Sequence, residues 1–332
     1  MTHAHDLYLT EERIRAVVTG TAHFTRRLRN RCSTGMPVPD VVPDFAAGET
    51  LINHMGEAFD AVAGPGAGRY VADSARLNHL LNILSEGTIE EVVAGRQERI
   101  AHAELRGLAP DLLAGMRASS ALVVAQLRAI PQSELDAVFA CLDEIEPLHP
   151  HDVARIRLRH DPEVRERSLR EAAALRVGDP SRPPLTDERI RAVLEVVRRL
   201  LPGAGKLRAV WASGGTYDGY GKSAVQLVGA AVVKKIAAAG ADPEALVRDL
   251  WWTQLITRLI GGRGMDEALA ELRLEQSPAA WLSPYDRPGR AKKRAEFFAS
   301  AMSFPFEMHC RITRDEEESV GRLLGEIRSI LQ

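Results

Sequence analysis

Helical periodicity is the feature of this sequence that most restricts its fold. The clearest case is the stretch 315–331, where apolar residues recur on one helical face: Val320, Leu323, Leu324, Ile327, Ile330 and Leu331. Thr313 and Glu316 precede this stretch at the spacing of a capping box, in which each side chain bonds the backbone amide of the other residue. Similar segments follow one another along the chain, so the sequence predicts an all-α fold, a bundle of roughly eleven or twelve helices.

Helix start signals support the same fold class. Thr10 precedes an acidic pair and is typical of an N-cap, and Thr88 with Glu91 has the spacing of a second capping box. The other predicted helices span residues 51–62, 75–86, 110–130, 133–146, 162–175, 187–201, 265–274 and 290–302. Strand signals are confined to Leu207–Ala212 and Phe304–Ile312, so we expect at most a minor β-hairpin.

Charge composition restricts the class of partner. The chain has 332 residues, of which 45% are hydrophobic, and its 43 basic residues nearly balance its 45 acidic ones. A dedicated DNA-coating protein has a strong basic excess, so this balance argues against that class and leaves room only for a local basic patch.

Cysteine usage and hydropathy indicate a compartment. The three cysteines, Cys32, Cys141 and Cys310, are scattered and have no zinc-ligand spacing. The N-terminal residues lack the pattern of a secretory signal, and the most apolar run, Ala224–Val233, is too short to span a bilayer. We therefore expect a cytoplasmic protein without a membrane partner.

A proline-rich joint divides the chain into two predicted regions. Val177–Leu185 contains three prolines and a glycine, which is typical of a linker or domain joint. We predict an N-terminal helical region at 1–180 and a C-terminal helical region at 181–332 that contains a ligand pocket. Both regions contain amphipathic helices, so a single continuous domain remains an alternative.

A short sequence similarity links the two regions. Leu9–Val17 reads LTEERIRAV, and Leu185–Val193 reads LTDERIRAV. A duplication of one ancestral half explains the similarity. The alternative explanation is convergence, because a threonine cap followed by an acidic first turn is a common start for any helix.

A glycine-rich stretch after residue 210 is the sharpest candidate site. Its glycines, lysine and hydroxyl residues directly precede a predicted helix, so backbone amides and a positive charge could surround a phosphate or carboxylate. The spacing departs from a Walker A loop, since Thr216 stands where that motif needs its first glycine. A flexible turn between helices is the structural alternative. The candidate ligand residues in this stretch are Gly214, Gly215, Thr216, Tyr217, Tyr220, Lys222 and Ser223.

Tryptophans cluster in the same region and could form the walls of a pocket. Trp211 precedes the glycine-rich stretch, and Trp251 and Trp252 are adjacent on a predicted helix, about 100° apart around its axis. Both can be buried only if the helix is covered on a wide arc or if one of them lines a cleft. The first hypothesis is therefore a helical enzyme or binding protein for a small anionic ligand, which could also be aromatic. No catalytic residue stands out, so whether the protein is an enzyme stays open.

Histidines on successive predicted helices suggest an alternative, a haem- or metal-dependent helical enzyme. The candidate ligands are His54, His79, His102 and His309. Carboxylate-bridged metal sites need two Glu-x-x-His motifs, and the sequence does not contain two, so no metal ligand is assigned and the cofactor stays unknown.

A basic segment suggests a second alternative, a non-catalytic interaction module. Arg290, Lys292, Lys293 and Arg294 stand close to Phe297 and Phe298, and such a mixture could bind a nucleic acid or an acidic protein. The structural alternative is a solvated helix face beside a buried phenylalanine pair.

Overall fold

The computed structural model describes residues 8–32, 59–61, 63–105, 107–200, 230–260, 264–282 and 288–331. Within these ranges all regular secondary structure is helical, fifteen α-helices and one 3₁₀ helix, which confirms the all-α prediction. None of the described helices combines enough length with enough apolar character to span a membrane.

The helix bounds follow in chain order. The first eight are α1 (Glu11–Cys32), α2 (Ala67–Glu86), α3 (Ile89–Leu105), α4 (Pro110–Arg128), α5 (Gln132–Ala140), α6 (Leu142–Ile145), α7 (Pro150–His160) and α8 (Pro162–Ala174). The others are α9 (Asp187–Leu200), α10 (Ala230–Ala238), α11 (Pro243–Ile260), α12 (Met265–Glu275), the 3₁₀ helix (Pro278–Trp281), α13 (Pro288–Cys310), α14 (Arg314–Arg322) and α15 (Leu324–Leu331).

Helix starts agree closely with the capping signals. The Thr10 hydroxyl accepts the Arg13 amide at 3.4 Å. Thr88 and Glu91 exchange side-chain to backbone hydrogen bonds of 2.8 and 3.2 Å, and Thr313 and Glu316 form the second capping box. These local patterns specify where α1, α3 and α14 begin.

One predicted feature differs in the structure. The possible strand at Phe304–Ile312 is wrong, because residues 304–310 continue α13 through Pro305. The other candidate strand, Leu207–Ala212, lies outside the described residues. The proline-rich segment packs against the end of α13, since the amides of Val177 and Gly178 both donate to the Cys310 carbonyl, at 3.1 and 3.2 Å.

The described residues group into two compact units. Those of Met1–Arg165 and Leu274–Ala299 form the first unit, and those of Glu166–Arg273 and Ser300–Gln332 form the second. A grouping of contacts does not define an independently folding domain, so the division at 1–180 and 181–332 stays a prediction.

Each unit is built around a pair of packed helices, α1 with α2 in the first unit and α9 with α11 in the second. In the first unit α1 packs against α2, α5 and α6, and α2 also packs against α5 and α7. In the second unit α9 packs against α11, α14 and α15, and α11 also packs against α14. Fully buried aliphatic residues fill both cores, including Ile14 and Leu80 in the first and Ile190 and Ile256 in the second.

Helices α9 and α11 to α15, called here the second copy, follow the order of helices α1 to α6, called the first copy. Leu9 corresponds to Leu185, 176 residues later, and at the same offset α3 begins at Ile89 and α12 at Met265. After α13 the offset is 182 residues: α5 and α14 each have nine residues, beginning at Gln132 and Arg314. Paired positions are buried alike, namely Ile14 with Ile190, Val17 with Val193, Val138 with Val320 and Ile145 with Ile327.

Each copy contains the same set of polar contacts within itself. The Leu9 amide donates to Glu134 at 2.9 Å, and the Leu185 amide donates to Glu316 at 2.8 Å. Arg13 bonds Asp73 and Arg189 bonds Asp249, and both pairs again lie at the 176-residue offset. Convergence at a helix start does not account for matching contacts this far along the chain, so the structure favours duplication.

Candidate functional site

A pocket of about 290 Å³ lies within the second unit, between α11, the C-terminal half of α13 and the segment that precedes α9. Its volume is at the lower end of the range for small-molecule sites, about 300 to 1,000 Å³. The lining contains two tryptophans and three arginines beside two acidic residues. An aromatic and cationic lining of this size suits one planar ring that carries a negative group.

Trp251 and Trp252 form the α11 wall of the pocket. Their ring centroids lie 4.9 Å apart at an interplanar angle of 81°. Trp252 is buried, whereas Trp251 is half-buried. Trp252 therefore belongs to the core, whereas part of the Trp251 ring is exposed to the pocket.

Arg182 and Glu316 form a buried ion pair beside Trp252. The Arg182 side chain is 7% exposed and the Glu316 side chain is 1% exposed, and the guanidinium bonds both carboxylate oxygens. The same guanidinium lies 4.0 Å from the centroid of the Trp252 ring. Because its charge is already matched by Glu316, Arg182 acts here chiefly as a structural support for Trp252.

Hydrogen bonds set the protonation of Glu316. Burial alone would raise its pKa, but the hydrogen bonds from Arg182 and from the amides of Thr313 and Leu185 together outweigh burial and hold the pKa below its ordinary value. Glu316 is therefore ionised at neutral pH and keeps the Arg182 guanidinium fixed.

Arg311 and Asp179 lie next to each other in the pocket lining. Arg311 Nη1 lies 3.5 Å from an Asp179 oxygen, and the Arg311 side chain is 46% exposed. Burial acts to raise the pKa of Asp179, yet the Ser181 hydroxyl and amide, which donate to it, and the nearby Arg311 and Arg182 lower the pKa overall. Asp179 thus compensates Arg311 electrostatically and orders the loop that carries Arg182.

Arg248 is the cation of the lining whose charge is least compensated. Its nearest carboxylate is Asp249, at 3.9 Å from Nε, which is too long for a hydrogen bond. Asp249 already accepts two hydrogen bonds of 2.6 Å from Arg189. The Nε atoms of Arg248 and Arg182 are both buried without a hydrogen-bond partner among the described residues. A buried donor of this kind is costly unless an acceptor arrives. Because Arg182 is already paired with Glu316, Arg248 is the better-placed of the two for an incoming anion.

The pocket lining is peculiar to the second copy. At the 176-residue offset, Arg248 and Trp251 correspond to Ala72 and Ala75. At the 182-residue offset, Glu307 and Arg311 correspond to Ala125 and Ala129. The two copies therefore share their core residues, whereas the charged and aromatic residues of the pocket occur only in the second copy.

The sequence-predicted site is placed only in part. Trp251 and Trp252 lie together in the pocket. Trp211 and the glycine-rich residues, Gly214, Gly215, Thr216, Tyr217, Tyr220, Lys222 and Ser223, lie outside the described residues. Sequence reasoning missed Arg182, Arg248 and Arg311, because single arginines on separate segments carry no local motif.

The described histidines do not assemble a metal site. His54 lies outside the described residues, and so does the side chain of His102, whereas His79 lies on α2 and His309 near the end of α13. His309 is 8% exposed, and its Nδ1 atom lies 2.6 Å from the Pro305 carbonyl. Among the described residues no group of three or more potential ligand side chains could hold a metal ion.

In comparisons with known proteins, no family model, no curated protein and no solved structure matches this chain.

Proposed function

We propose that the second unit is a binding module for a small planar anion, with its ring against Trp251 and its negative group at Arg248. The observation that carries the proposal is the buried Arg248 Nε atom, which has no hydrogen-bond partner among the described residues and lies in an aromatic-lined pocket. A carboxylate, sulfonate or phosphate would supply the acceptor that this donor needs.

Charge balance supports an anion over a neutral or cationic ligand. Glu316 compensates Arg182 and Asp179 compensates Arg311, whereas Glu307 and Arg248, whose side chain is 40% exposed, form no ion pair with each other among the described residues. The lining has three arginines and two acidic residues, so its charge balance favours a negative group on the ligand. The volume of about 290 Å³ restricts the ligand to roughly one fused ring system with its acidic group.

The glycine-rich stretch lies outside the described residues, so only its sequence supports a part in ligand binding. Lys222 and the glycines beside it could add amides and a second cation to the same ligand, as the sequence suggests. Binding at Arg248 does not depend on this contribution.

The proposal predicts selective binding of an aromatic anion. Isothermal titration calorimetry of the full chain should show saturable binding of 2-naphthoate and much weaker binding of 2-naphthamide, its neutral analogue. Arg248→Gln should weaken 2-naphthoate binding about tenfold or more, because a hydrogen bond to a charged group contributes about 1.5 to 3 kcal/mol. Trp251→Leu should weaken the binding of both compounds by removing ring contact.

Arg258→Gln is the matched control, since Arg258 is an exposed arginine on the same helix and outside the pocket lining. This variant should bind 2-naphthoate like the unaltered chain. The proposal is rejected if 2-naphthoate shows no saturable binding at millimolar concentration, or if Arg248→Gln and Arg258→Gln behave alike.

A further inference from the structure

The first three turns of α13 present two opposite faces. Ala291, Ala295 and Ala299 recur every four residues and are 5%, 1% and 6% exposed, so this face packs against the protein. The opposite face is exposed and is called here the basic face of α13. It consists of Arg290, Lys293, Arg294 and Phe297, which occupy positions i, i+3, i+4 and i+7.

The first turn of α13 has no acidic residue, and neither do the first turns of α2 and α10, whereas α1, α9, α12 and α14 each have at least one. The first turn of α13 also carries the exposed Arg290. Cations near a helix N-terminus are destabilising, because the aligned peptide dipoles already place positive charge there. Neither Arg290 nor Lys293 has an ion-pair partner among the described residues. An anion bound at this face would relieve the accumulated positive charge.

Phe297 adds an aromatic platform to the basic face. Its side chain is 68% exposed, so the sequence-based alternative of a buried phenylalanine pair is wrong for this residue. Phe297 contacts Phe298 edge to face, with ring centroids 5.6 Å apart. Phe298 in turn stacks on Trp281 at 4.8 Å, and Trp281 stacks on His151 at 4.7 Å. This aromatic series supports Phe297 from below while its ring stays exposed to solvent.

We propose that the basic face of α13 binds single-stranded nucleic acid, with phosphates at Arg290 and Lys293 and one base stacked on Phe297. Exposed aromatic rings flanked by basic side chains are the recognition elements that unpaired strands use, because every base offers a π-face and every linkage a negative charge. This surface lies in the first unit and is separate from the ligand pocket of the second.

An anionic membrane is a poorer match to the same residues. A helix that lies in a bilayer interface inserts a broad apolar face into the lipid. In α13 the apolar face consists of the three alanines, which are buried in the protein, and the basic face offers one apolar ring. The distribution of charge and aromatic surface therefore favours a polynucleotide over a membrane.

Fluorescence anisotropy with fluorescein-labelled oligo-dT of twelve nucleotides tests the proposal on the full chain. Saturable binding is expected at 50 mM salt, with a logarithmic salt dependence of about −0.7 for each phosphate contacted. Arg290→Gln combined with Lys293→Gln should lower the affinity about tenfold or more and flatten the salt dependence. Phe297→Ala should lower the affinity about fivefold or more at unchanged salt dependence, because it removes stacking and no charge.

Lys234→Gln combined with Lys235→Gln is the matched control, since both lysines are exposed on α10 and their replacement removes the same charge. Its affinity should equal that of the unaltered chain. Absence of saturable binding at 50 mM salt, or equal losses in the two double variants, overturns the proposal. Binding to phosphatidylglycerol vesicles without binding to the oligonucleotide assigns the face to lipid and overturns it as well. Arg248→Gln should leave oligonucleotide binding unchanged, so this proposal and the ligand pocket fail independently.

Discussion

At the scale of single residues, two buried glutamates fill the same position in the two copies. Glu134 is 0% exposed and bonds Arg76 through both carboxylate oxygens, while Glu316 is bonded by Arg182. Arg76 lies on α2, and the corresponding position on α11 is Trp252. In the second copy the arginine that pairs with the glutamate, Arg182, comes from the segment before α9. The α11 position that corresponds to Arg76 is therefore free to hold Trp252. This exchange places an aromatic wall where the first copy has an ion pair.

Replacement of Glu316 is the first prediction at this scale. Glu316→Gln should lower the free energy of unfolding by about 3 to 5 kcal/mol, because Arg182 would stay buried without its counter-charge. Glu318→Gln, an exposed change on the same helix, should cost less than about 0.5 kcal/mol. Urea titration at pH 7 measures both. Equal stability of the two variants would contradict the structural role of Glu316.

The pKa of Glu316 gives this prediction a pH dependence. Since the folded-state pKa lies below that of the unfolded chain, the stabilisation is fully present above the ordinary carboxyl pKa, about 4.3. It is lost as the pH falls from there through the folded-state value. The difference in unfolding free energy between the unaltered chain and Glu316→Gln should therefore shrink below about pH 4.3.

At the scale of elements, local sequence determines where helices begin better than where they break. The capping boxes of α3 and α14 were predictable, since they need only two residues three positions apart. By contrast, the predicted helices 133–146 and 315–331 are each divided in two, at Cys141 and Leu323. Both residues are buried with a backbone ψ close to zero, 11° and 7°, so core packing and not helical periodicity interrupts the helix.

Removal of a cap is the prediction that belongs to this scale. Thr88→Ala should lower the free energy of unfolding by about 0.5 to 2 kcal/mol, because the Glu91 amide at the start of α3 loses its acceptor. Thr88→Ser keeps the hydroxyl and should restore most of the loss. Chemical denaturation compares the three chains. If Thr88→Ala is as stable as the unaltered chain, the capping box contributes nothing to α3.

At the scale of the whole molecule, the pocket depends on contacts that no local pattern encodes. Trp251 and Trp252 were identifiable because they are adjacent on one helix. Arg182 and Arg311 lie 129 residues apart and meet where the Arg182 guanidinium donates to the Arg311 carbonyl at 3.1 Å. Such a meeting follows from the packing of α9, α11 and α14. The sequence could therefore indicate the aromatic part of the pocket lining but not its cationic part.

Acid sensitivity is the prediction for the molecule as a whole. Burial lowers the pKa of His151 in the first unit and of His309 in the second. Below about pH 6.5 these histidines are protonated in the unfolded chain but stay neutral in the folded protein. The free energy of unfolding should therefore decline as the pH falls from 6.5 toward the folded-state pKa values. His309→Asn removes the titrating group of the second unit and keeps an N–H donor for the Pro305 carbonyl.

Thermal unfolding between pH 7.5 and pH 5.5 tests this acid sensitivity. The melting temperature of the unaltered chain should fall over this range, and that of His309→Asn should fall less. A histidine that stays neutral in the folded state but is protonated in the unfolded state lowers the free energy of unfolding by up to about 1.4 kcal/mol per pH unit. His23→Asn, at an exposed position on α1, should keep the slope of the unaltered chain. Burial also lowers the pKa of His79 in the first unit. If His309→Asn instead keeps the full slope, the acid response has its origin elsewhere, and His79→Asn and His151→Asn together decide whether it lies in the first unit.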